Sequence, residues 1–413
     1  MFIVIRNSWA LLLGMLLFMV GNGLQGTLLG VRGNMEGFST LELSYVMSGY
    51  FVGFLFGSRI APKMIQRVGH VRVFAALGSL ISAALIMFPI VVDPIAWAVL
   101  RIIIGFCFSG VYVTAESWLN NASSNETRGQ TLSIYLIVQM VGIVTAQYLL
   151  LLADPGGFIL FILPSVLVSL AFAPILLSVL PAPSFGASKV LTIRKLFKIS
   201  PTSCVGIFLL GGIFSALFGM SAVYASQQGF KLSHISIFVA SIYVGGMVMQ
   251  YPIGWLSDHM DRRRLAILIS VFGVLASLSA MLVSANFWML VVMMFFIGGV
   301  ANPLYALLLA YANDYLDYED MAGASGGLIF INGIGAILGP IVTGQMMDRM
   351  GPNGFFLFLA IMLAGIAGYA IYRSSIRETP DSTEHSNYAA FSPSTTAVAV
   401  EFAQEAMAEE DQS

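Results

Sequence analysis

The stretch "GWLSDHMDRRR", Gly254 to Arg264, holds two aspartates, a histidine and three arginines. The chain as a whole avoids charge, because 58% of its 413 residues are hydrophobic, only 10% are charged, and the mean hydropathy is +0.87. A soluble core does not need so much apolar sequence, so the composition indicates a chain that lies in a lipid bilayer. The charged stretch then marks a point where the chain leaves the bilayer.

Apolar runs of about 20 residues flank this stretch and recur along the chain, and a helix of that length crosses a hydrocarbon core of roughly 30 Å. The first run is longer than the apolar part of a signal peptide and lacks an Ala-x-Ala cleavage site, so we expect it to remain as the first helix. The sequence predicts twelve membrane-spanning helices, at residues 8–30, 41–61, 72–92, 94–117, 130–153, 157–180, 201–225, 234–256, 264–284, 287–311, 322–346 and 354–373.

The basic residues predict the orientation of these helices. If the N-terminus is cytoplasmic, most of the 19 lysines and arginines fall in cytoplasmic loops, and only Arg32, Lys231 and Arg349 lie outside. Because Lys and Arg accumulate on the cytoplasmic side, we expect both termini in the cytoplasm of a bacterial cell, with the chain in the inner membrane. The charged stretch is then a cytoplasmic loop between helices eight and nine.

Two observations indicate an internal duplication. "DPGGFILF" (Asp154–Phe161) and "GPNGFFLF" (Gly351–Phe358) agree at five of eight positions, and the same offset relates Gly57 to Gly254. The longest polar break between predicted helices also separates six helices from six. We therefore predict an all-α integral membrane protein of two pseudo-symmetric six-helix bundles.

The predicted boundaries follow from this division. The N-terminal half covers residues 1–180, a cytoplasmic linker covers 181–200, and the C-terminal half covers 201–375. Residues 376–413 are polar and acidic, and we expect a mostly disordered cytoplasmic tail there. A short amphipathic helix that docks a partner is the alternative for its last part.

The charged loop has a counterpart in a known family. Gly254-x-x-x-Asp258, followed by Asp261, Arg262 and Arg263, resembles the cytoplasmic loop signature G-x-x-x-D-x-x-G-R-R of the major facilitator superfamily, with Asp261 where that family usually has Gly. The resemblance implies the twelve-helix fold of that superfamily and solute transport by alternating access.

Three further stretches carry the resemblance. "RIIIG" (Arg101–Gly105) resembles the R-x-x-x-G signature of helix four, and "GAILGPIVTG" (Gly335–Gly344) resembles a G-x-x-x-G-P motif, although in helix eleven rather than five. "ESWLNNASSNETRGQTLSIY" (Glu116–Tyr135) resembles the YcaD-like branch of bacterial transporters. The matching loop of the first half is degraded, but it keeps Arg67 and Arg72.

The resemblance implies a cytoplasmic latch, in which loop charges pair with the inner ends of neighbouring helices and separate during transport. We expect Glu116 to pair with Arg67 or Arg72, and Asp314 to pair with Arg262 or Arg263. Because these pairs must separate during transport, we expect them at a wet surface, where an exposed ion pair contributes only about 0 to 1 kcal/mol. The alternative is that the arginines of the loop serve only as topology anchors.

Helix four carries a polar stripe. Arg101, Gly105, Ser109, Tyr112 and Glu116 fall within an arc of about 80° at 100° per residue. An arginine within a membrane span costs roughly 2.5 to 3.5 kcal/mol on insertion scales, so Arg101 is a candidate functional residue. The alternative is that Arg101 extends to the outer surface or has a structural role.

We expect a weakly polar cavity that bears aromatic side chains and binds a small organic solute, for which an anion is one candidate. The alternative is that each polar residue joins two helices. The candidate cavity residues are Asn22, Gln25, Arg101, Tyr112, Gln139, Tyr243, Asn302, Tyr305 and Asn332. Efflux of lipophilic compounds is an alternative function. A non-transporting receptor or scaffold that signals through the tail is another.

The sequence carries no signal for catalysis, for a metal site or for nucleic acid binding. The four histidines are scattered, no metal-ligand spacing appears, and no glycine-rich phosphate loop follows a strand, so we predict no enzyme, no metal and no cofactor. The basic loops are too small to indicate nucleic acid binding. The expected partners are the bilayer and the solute, and the protein is expected to be a monomer. Proton coupling stays open, since no Asp or Glu falls in the middle third of any predicted helix.

Overall fold

A computed structural model describes residues 2–123, 128–177, 192–316 and 318–376, together with Thr396 and Val398. Within these residues the secondary structure is helical, without strands. The helices are α1 (Phe2–Met35), α2 (Thr40–Val68), α3 (His70–Met87), α4 (Pro94–Ala122), α5 (Arg128–Leu149), α6 (Ile159–Leu177), α7 (Ile193–Ile199), α8 (Pro201–Gly219), α9 (Ser221–Gln227), α10 (Leu232–His259), α11 (Arg262–Leu282), α12 (Phe287–Asn313), α13 (Tyr318–Met350) and α14 (Gly354–Ser374).

The lengths of these helices match a bilayer. Ten of the described helices are long and apolar enough to cross a membrane, and α6 is a shorter apolar helix. The helix α2 has 29 residues, more than the roughly 20 that a crossing needs. Together these twelve occupy the positions of the twelve predicted spans.

Two details differ from the sequence prediction. The predicted linker is partly helical, because α7 lies within it and buries Leu196. The predicted seventh span is divided into α8 and α9 at Met220. The division is local, since the Met220 N–H still donates to the Ala216 carbonyl at 2.8 Å and the Tyr224 N–H to the Met220 carbonyl at 2.8 Å.

Side-chain caps fix where several helices begin. Ser39 accepts a hydrogen bond from the Glu42 N–H, and the Glu42 carboxylate accepts one from the Ser39 N–H, which forms a capping box at the start of α2. Asp93 caps α4, where Pro94 occupies the first turn. The helix α2 ends at Val68, and the next residue, Gly69, has a φ of +87°, which favours glycine.

The described residues form two compact units, α1–α6 with Thr396 and α7–α14. In the first unit α1 packs on α5 and α6, α2 packs on α4, and α3 packs on α4 and α6. In the second unit α8 packs on α13 and α14, α10 packs on α12, and α11 packs on α12 and α14. The two packing patterns correspond helix by helix, so the predicted pair of pseudo-symmetric bundles is confirmed.

Glycines allow close helix contacts at equivalent places in both units. A Cβ atom at Gly105 of α4 would lie 1.9 Å from the Tyr50 carbonyl oxygen of α2. A Cβ atom at Gly298 of α12 would lie 2.2 Å from the Ile242 carbonyl oxygen of α10. Small residues at such crossings let helix backbones approach in lipid, where van der Waals packing drives association. In the first unit this contact brings α2 beside Arg101.

Candidate functional site

Arg101 of α4 lies at the centre of a buried polar cluster, and its side chain is 4% exposed. Its Nη1 donates to Gln25 Oε1 of α1 at 2.7 Å, and its Nη2 lies 3.8 Å from the sulfur of Met47 in α2. The guanidinium carbon lies 4.7 Å from the centre of the Tyr50 ring, a cation–π distance. Three helices therefore meet around one positive charge, and Arg101 does not extend to the surface.

Two donors of this cluster have no partner. Arg101 Nε and Gln25 Nε2 are buried and make no hydrogen bond. Arg101 also makes no ion pair with any residue that the structure describes. A buried donor without a partner costs about 1 to 3 kcal/mol, and more for a charged group. The cluster is therefore a place where a ligand with acceptor atoms would gain binding energy.

The polar stripe of α4 continues from Arg101 towards the C-terminal end of the helix. Ser109, Tyr112 and Glu116 are all buried. The Tyr112 hydroxyl lies 3.1 Å from the sulfur of Met19 in α1, and the Tyr135 hydroxyl of α5 donates to Glu116 at 3.2 Å. The stripe therefore faces α1 and α5 of its own unit.

The other two cavity candidates of the first unit occupy different places. Asn22 Nδ2 donates to the Tyr50 hydroxyl at 3.4 Å, so Asn22 lies at the margin of the Arg101 cluster. Gln139 of α5 is buried, but no hydrogen bond joins it to Arg101, Gln25 or Tyr50. The structure thus brings Asn22 and Gln25 to Arg101 and leaves Gln139 outside.

In the second unit, an amide and an aromatic stack lie on neighbouring helices. Asn302 of α12 is 3% exposed, and neither polar atom of its side chain has a hydrogen-bond partner. A Cβ atom at Gly246 of α10 would lie 1.9 Å from the Asn302 amide nitrogen. Tyr243 of α10 stacks on Phe218 of α8, with ring centres 5.0 Å apart. These groups combine hydrogen-bonding capacity with flat apolar surface.

The last two cavity candidates of this unit have structural contacts. Tyr305 of α12 is buried, with its ring edge-on to Phe214 at 6.4 Å. Asn332 Nδ2 of α13 donates to the Ile207 carbonyl of α8 at 3.1 Å. Asn332 therefore joins two helices, which is the alternative role that the sequence left open for such residues.

The charged loop forms a buried ion pair. Arg262 Nη1 at the start of α11 lies 2.5 Å from the carboxylate of Asp314, the residue after α12, and both side chains are 1% exposed. Arg262 Nε also donates to the Ser257 hydroxyl at 3.3 Å. The Arg262–Asp314 pair is one of the two that the sequence proposes. Because it is buried, it does not break as easily as an exposed pair, contrary to our expectation.

Arg263 has different partners. Its Nε and Nη2 donate to the Tyr311 hydroxyl at 3.0 and 2.9 Å, and Nη2 lies 3.4 Å from the Tyr315 hydroxyl. Burial raises the pKa of Tyr315 to about 12, so this phenol stays neutral at physiological pH. Arg263 and Arg262 thus both tie α11 to the end of α12.

The two aspartates of the loop differ in role. Asp261 caps α11, where its carboxylate accepts a hydrogen bond from the Arg264 N–H at 2.8 Å. Asp258 is exposed and makes no ion pair in the part of the chain that the structure describes. Gly254 is buried on α10. Asp258 is therefore outside the ion pair, although the sequence groups it with the latch.

The predicted pairing in the first half is not present. Arg67 and Arg72 are exposed, and neither contacts Glu116. The Glu116 carboxylate instead accepts hydrogen bonds from the N–H of Thr396, at 3.1 Å, and from its hydroxyl. Thr396 is 2% exposed although it belongs to the segment expected to be a disordered tail. The rest of that segment, apart from Ile376 and Val398, lies outside the described residues.

Sequence reasoning missed several of these contacts. Tyr50 and Met47 are ordinary apolar-face residues in the sequence of α2, and only the α2–α4 crossing brings them to Arg101. Tyr311 and Tyr315 could have been identified from the sequence, because two tyrosines four residues apart face the same side of a helix end. Nothing in the sequence indicates that Thr396 contacts Glu116.

Comparison with known families agrees with this architecture. The family described as Major Facilitator Superfamily matches residues 11–282 and 203–402. An uncharacterised MFS-type transporter of Yersinia enterocolitica, YE1530, is 28% identical over 380 residues, which cover 91% of this chain and 96% of the relative. The uncharacterised MFS-type transporter YcaD of Escherichia fergusonii is 25% identical, over 87% of this chain and 94% of its own.

Solved structures share the fold. A mutant form of the nucleoside transporter NupG superposes with a TM-score of 0.77 at 16% identity, covering 89% of this chain and 99% of that one. A bacterial homologue of the human lysosomal transporter Spinster, inward-facing and occupied, gives 0.72 at 17% identity, covering 91% and 99%. With two repeated six-helix units and a family match along most of its length, the chain belongs to the major facilitator superfamily of membrane transporters.

Proposed function

We propose that this protein is a secondary active transporter that moves a small organic solute across the bacterial inner membrane by alternating access. The main support for this proposal is the Arg101 cluster. There, a buried guanidinium with an unpartnered Nε lies beside amide and phenol groups within the membrane region. A charge with this cost in a bilayer is a candidate functional group by default.

The contacts around Arg101 define the candidate solute site of the first unit. Gln25 and Asn22 supply amide groups, Tyr50 covers one face of the guanidinium, and Tyr112 lies further inward on α4. The second unit offers its own candidate contacts, Asn302 and Tyr305. Polar side chains of this kind within membrane helices mark solute pathways.

The Arg262–Asp314 pair supports the conformational part of the proposal. It ties the start of α11 to the end of α12, where a change in helix orientation would have to separate the two charges. We assign it to a latch that stabilises one conformation of the transport cycle. With both termini in the cytoplasm, this latch lies at the cytoplasmic ends of the helices.

The proposal leaves the coupling ion open, and protons are one candidate. The carboxylate on the stripe of α4, Glu116, is held by Tyr135 and Thr396. A transport assay with an imposed pH gradient decides between coupling to protons and coupling to another ion.

The proposed function is tested by thermal stability of the purified protein in detergent, against a panel of organic anions, sugars and lipophilic cations. Wild type and Arg101→Ala are compared, with Arg264→Ala as a control that removes an exposed arginine. Stabilisation of wild type and of the control, but not of Arg101→Ala, supports the proposed site. Equal stabilisation of all three by lipophilic cations indicates efflux of such compounds and a structural Arg101. The absence of any response, with an output that depends on the tail, indicates a receptor or scaffold.

A further inference from the structure

The Arg101 cluster contains hydrogen-bond donors without acceptors. Arg101 Nε and Gln25 Nε2 are both N–H donors, and both are buried without a partner. The acceptor in the cluster, Gln25 Oε1, already accepts from Arg101 Nη1 at 2.7 Å. A ligand that satisfies this cluster must therefore bring acceptor atoms.

The cluster also carries one uncompensated positive charge. The side chains that surround the guanidinium, Gln25, Met47 and Tyr50, are neutral. Arg101 forms no ion pair with a described residue. The acidic residue of its own helix, Glu116, lies roughly 22 Å away along α4 at 1.5 Å per residue. A ligand with a single negative charge would neutralise the positive charge of Arg101.

One edge of the guanidinium lacks oxygen and nitrogen acceptors, and this edge indicates the shape of the anion. The Tyr50 ring covers one face, and Gln25 occupies Nη1. The edge formed by Nε and Nη2 has only the weak Met47 sulfur contact at 3.8 Å. Two parallel N–H groups on one edge fit the two oxygens of a planar carboxylate.

We propose that Arg101 binds a carboxylate group of the transported solute through Nε and Nη2, and that Gln25 Nε2 donates to a further acceptor of the same solute. This inference rests on the proposed function and narrows its substrate class to organic monocarboxylates. Arg101 and Gln25 are then binding residues, and Gln25 also orients Arg101 through its Oε1.

The structure provides a variant that separates binding from folding. In Gln25→Glu the new carboxylate would take the place of the Oε1 acceptor beside Nη1 and supply the missing negative charge inside the protein. This variant should unfold at a higher temperature than wild type without ligand, because the buried guanidinium gains a counterion. It should also lose carboxylate binding, because the internal carboxylate repels a second anion.

The test measures the unfolding temperature of the full-length protein in detergent with acetate and with its uncharged analogue acetamide, at equal ionic strength. We expect acetate to raise the unfolding temperature of wild type and of the exposed control Arg264→Gln in a saturable way, since a ligand that binds only the folded state stabilises it. Acetamide should have no effect. Arg101→Gln and Gln25→Glu should not respond to acetate.

Three results would overturn the carboxylate assignment: an equal response to acetamide, a retained acetate response in Gln25→Glu, or no acetate response in wild type. Gln25→Glu keeps the test decisive if Arg101→Gln fails to fold. In each case a response of wild type to a sugar or a lipophilic cation would leave the proposed transport function in place, so the two failures are distinguishable.

Discussion

Arg262 and Asp314 form an ion pair across 2.5 Å with both side chains 1% exposed, which joins the first residue of α11 to the residue after α12. A pair in this position has a different energetic role from an exposed one. Removing one partner leaves the other as a buried, uncompensated charge, which costs about 3 to 5 kcal/mol in soluble proteins. Loss of either partner should therefore disfavour the conformation that contains the pair.

Asp314→Asn should lower the population of this conformation strongly. Arg262 would lose its counterion, with a cost of about 3 to 5 kcal/mol as an upper range. The measurement is the labelling rate of a cysteine placed near the Asn313 end of α12, since both native cysteines are buried. Arg264→Gln, next to the pair but exposed, should leave the rate unchanged. An unchanged labelling rate in Asp314→Asn would indicate that the loop serves only as a topology anchor.

Asp258→Asn should have almost no effect on the same labelling rate. Asp258 is exposed and lies outside the buried pair, so replacing its carboxylate removes little beyond a solvated charge. An effect as large as that of Asp314→Asn would show that Asp258 belongs to the latch in another conformation.

Gly105→Ala should destabilise the first unit. The new Cβ would lie 1.9 Å from the Tyr50 carbonyl oxygen, so α2 and α4 must separate, and overpacking of this kind costs about 1 to 3 kcal/mol. Gly368→Ala is the matched control, because no atom lies within 4 Å of its Cβ position. The control should be neutral or slightly stabilising. Unfolding temperatures in detergent compare the two, and equal values would contradict the close crossing.

Tyr311→Phe should weaken the attachment of α11 to α12. Its hydroxyl accepts two hydrogen bonds from Arg263, and hydrogen bonds to charged groups contribute about 1.5 to 3 kcal/mol. Tyr372→Phe, at a 60% exposed tyrosine, is the control and should have no effect on the unfolding temperature. The loss in Tyr311→Phe should be constant through the neutral pH range, because the raised pKa of Tyr315 keeps that neighbour protonated. A loss that appears only at alkaline pH would contradict these contacts.

The amide hydrogen of Thr396 should exchange slowly with solvent. Its N–H donates to the Glu116 carboxylate, and the residue is 2% exposed. Glu116→Ala should accelerate exchange of the peptide that contains Thr396. Glu42→Ala, which removes an exposed capping carboxylate, should not change it. Fast exchange in wild type would show that this contact is rarely formed in solution.

The sequence predicts the fold well because its signals are local. Hydropathy predicts each span, and the duplicated Gly/Phe segment indicates the two bundles. The caps at Ser39 and Asp93, which the structure shows, are local signals of the same kind. Asp261 is informative in another way: it replaces the usual glycine of the family signature and caps α11 through the Arg264 N–H.

The site is less predictable because its contacts depend on helix crossings. The identity of Arg101 as a functional candidate follows from its place in a span, but its contact with Tyr50 depends on the Gly105 crossing. Asp314 as the partner of Arg262 could be proposed from charge and position alone, whereas the burial of that pair could not. The contact between Glu116 and Thr396 joins residues that are far apart in the sequence. The periodicity of apolar residues along a helix does not predict such a contact.

Transport through the Arg101 cluster is tested by solute release from proteoliposomes loaded with the mixed panel of organic anions, sugars and lipophilic cations, followed by mass spectrometry. We predict that at least one organic anion leaves vesicles with the wild-type protein faster than vesicles with Arg101→Ala or without protein. Equal retention of every solute in all three preparations would contradict transport through this site.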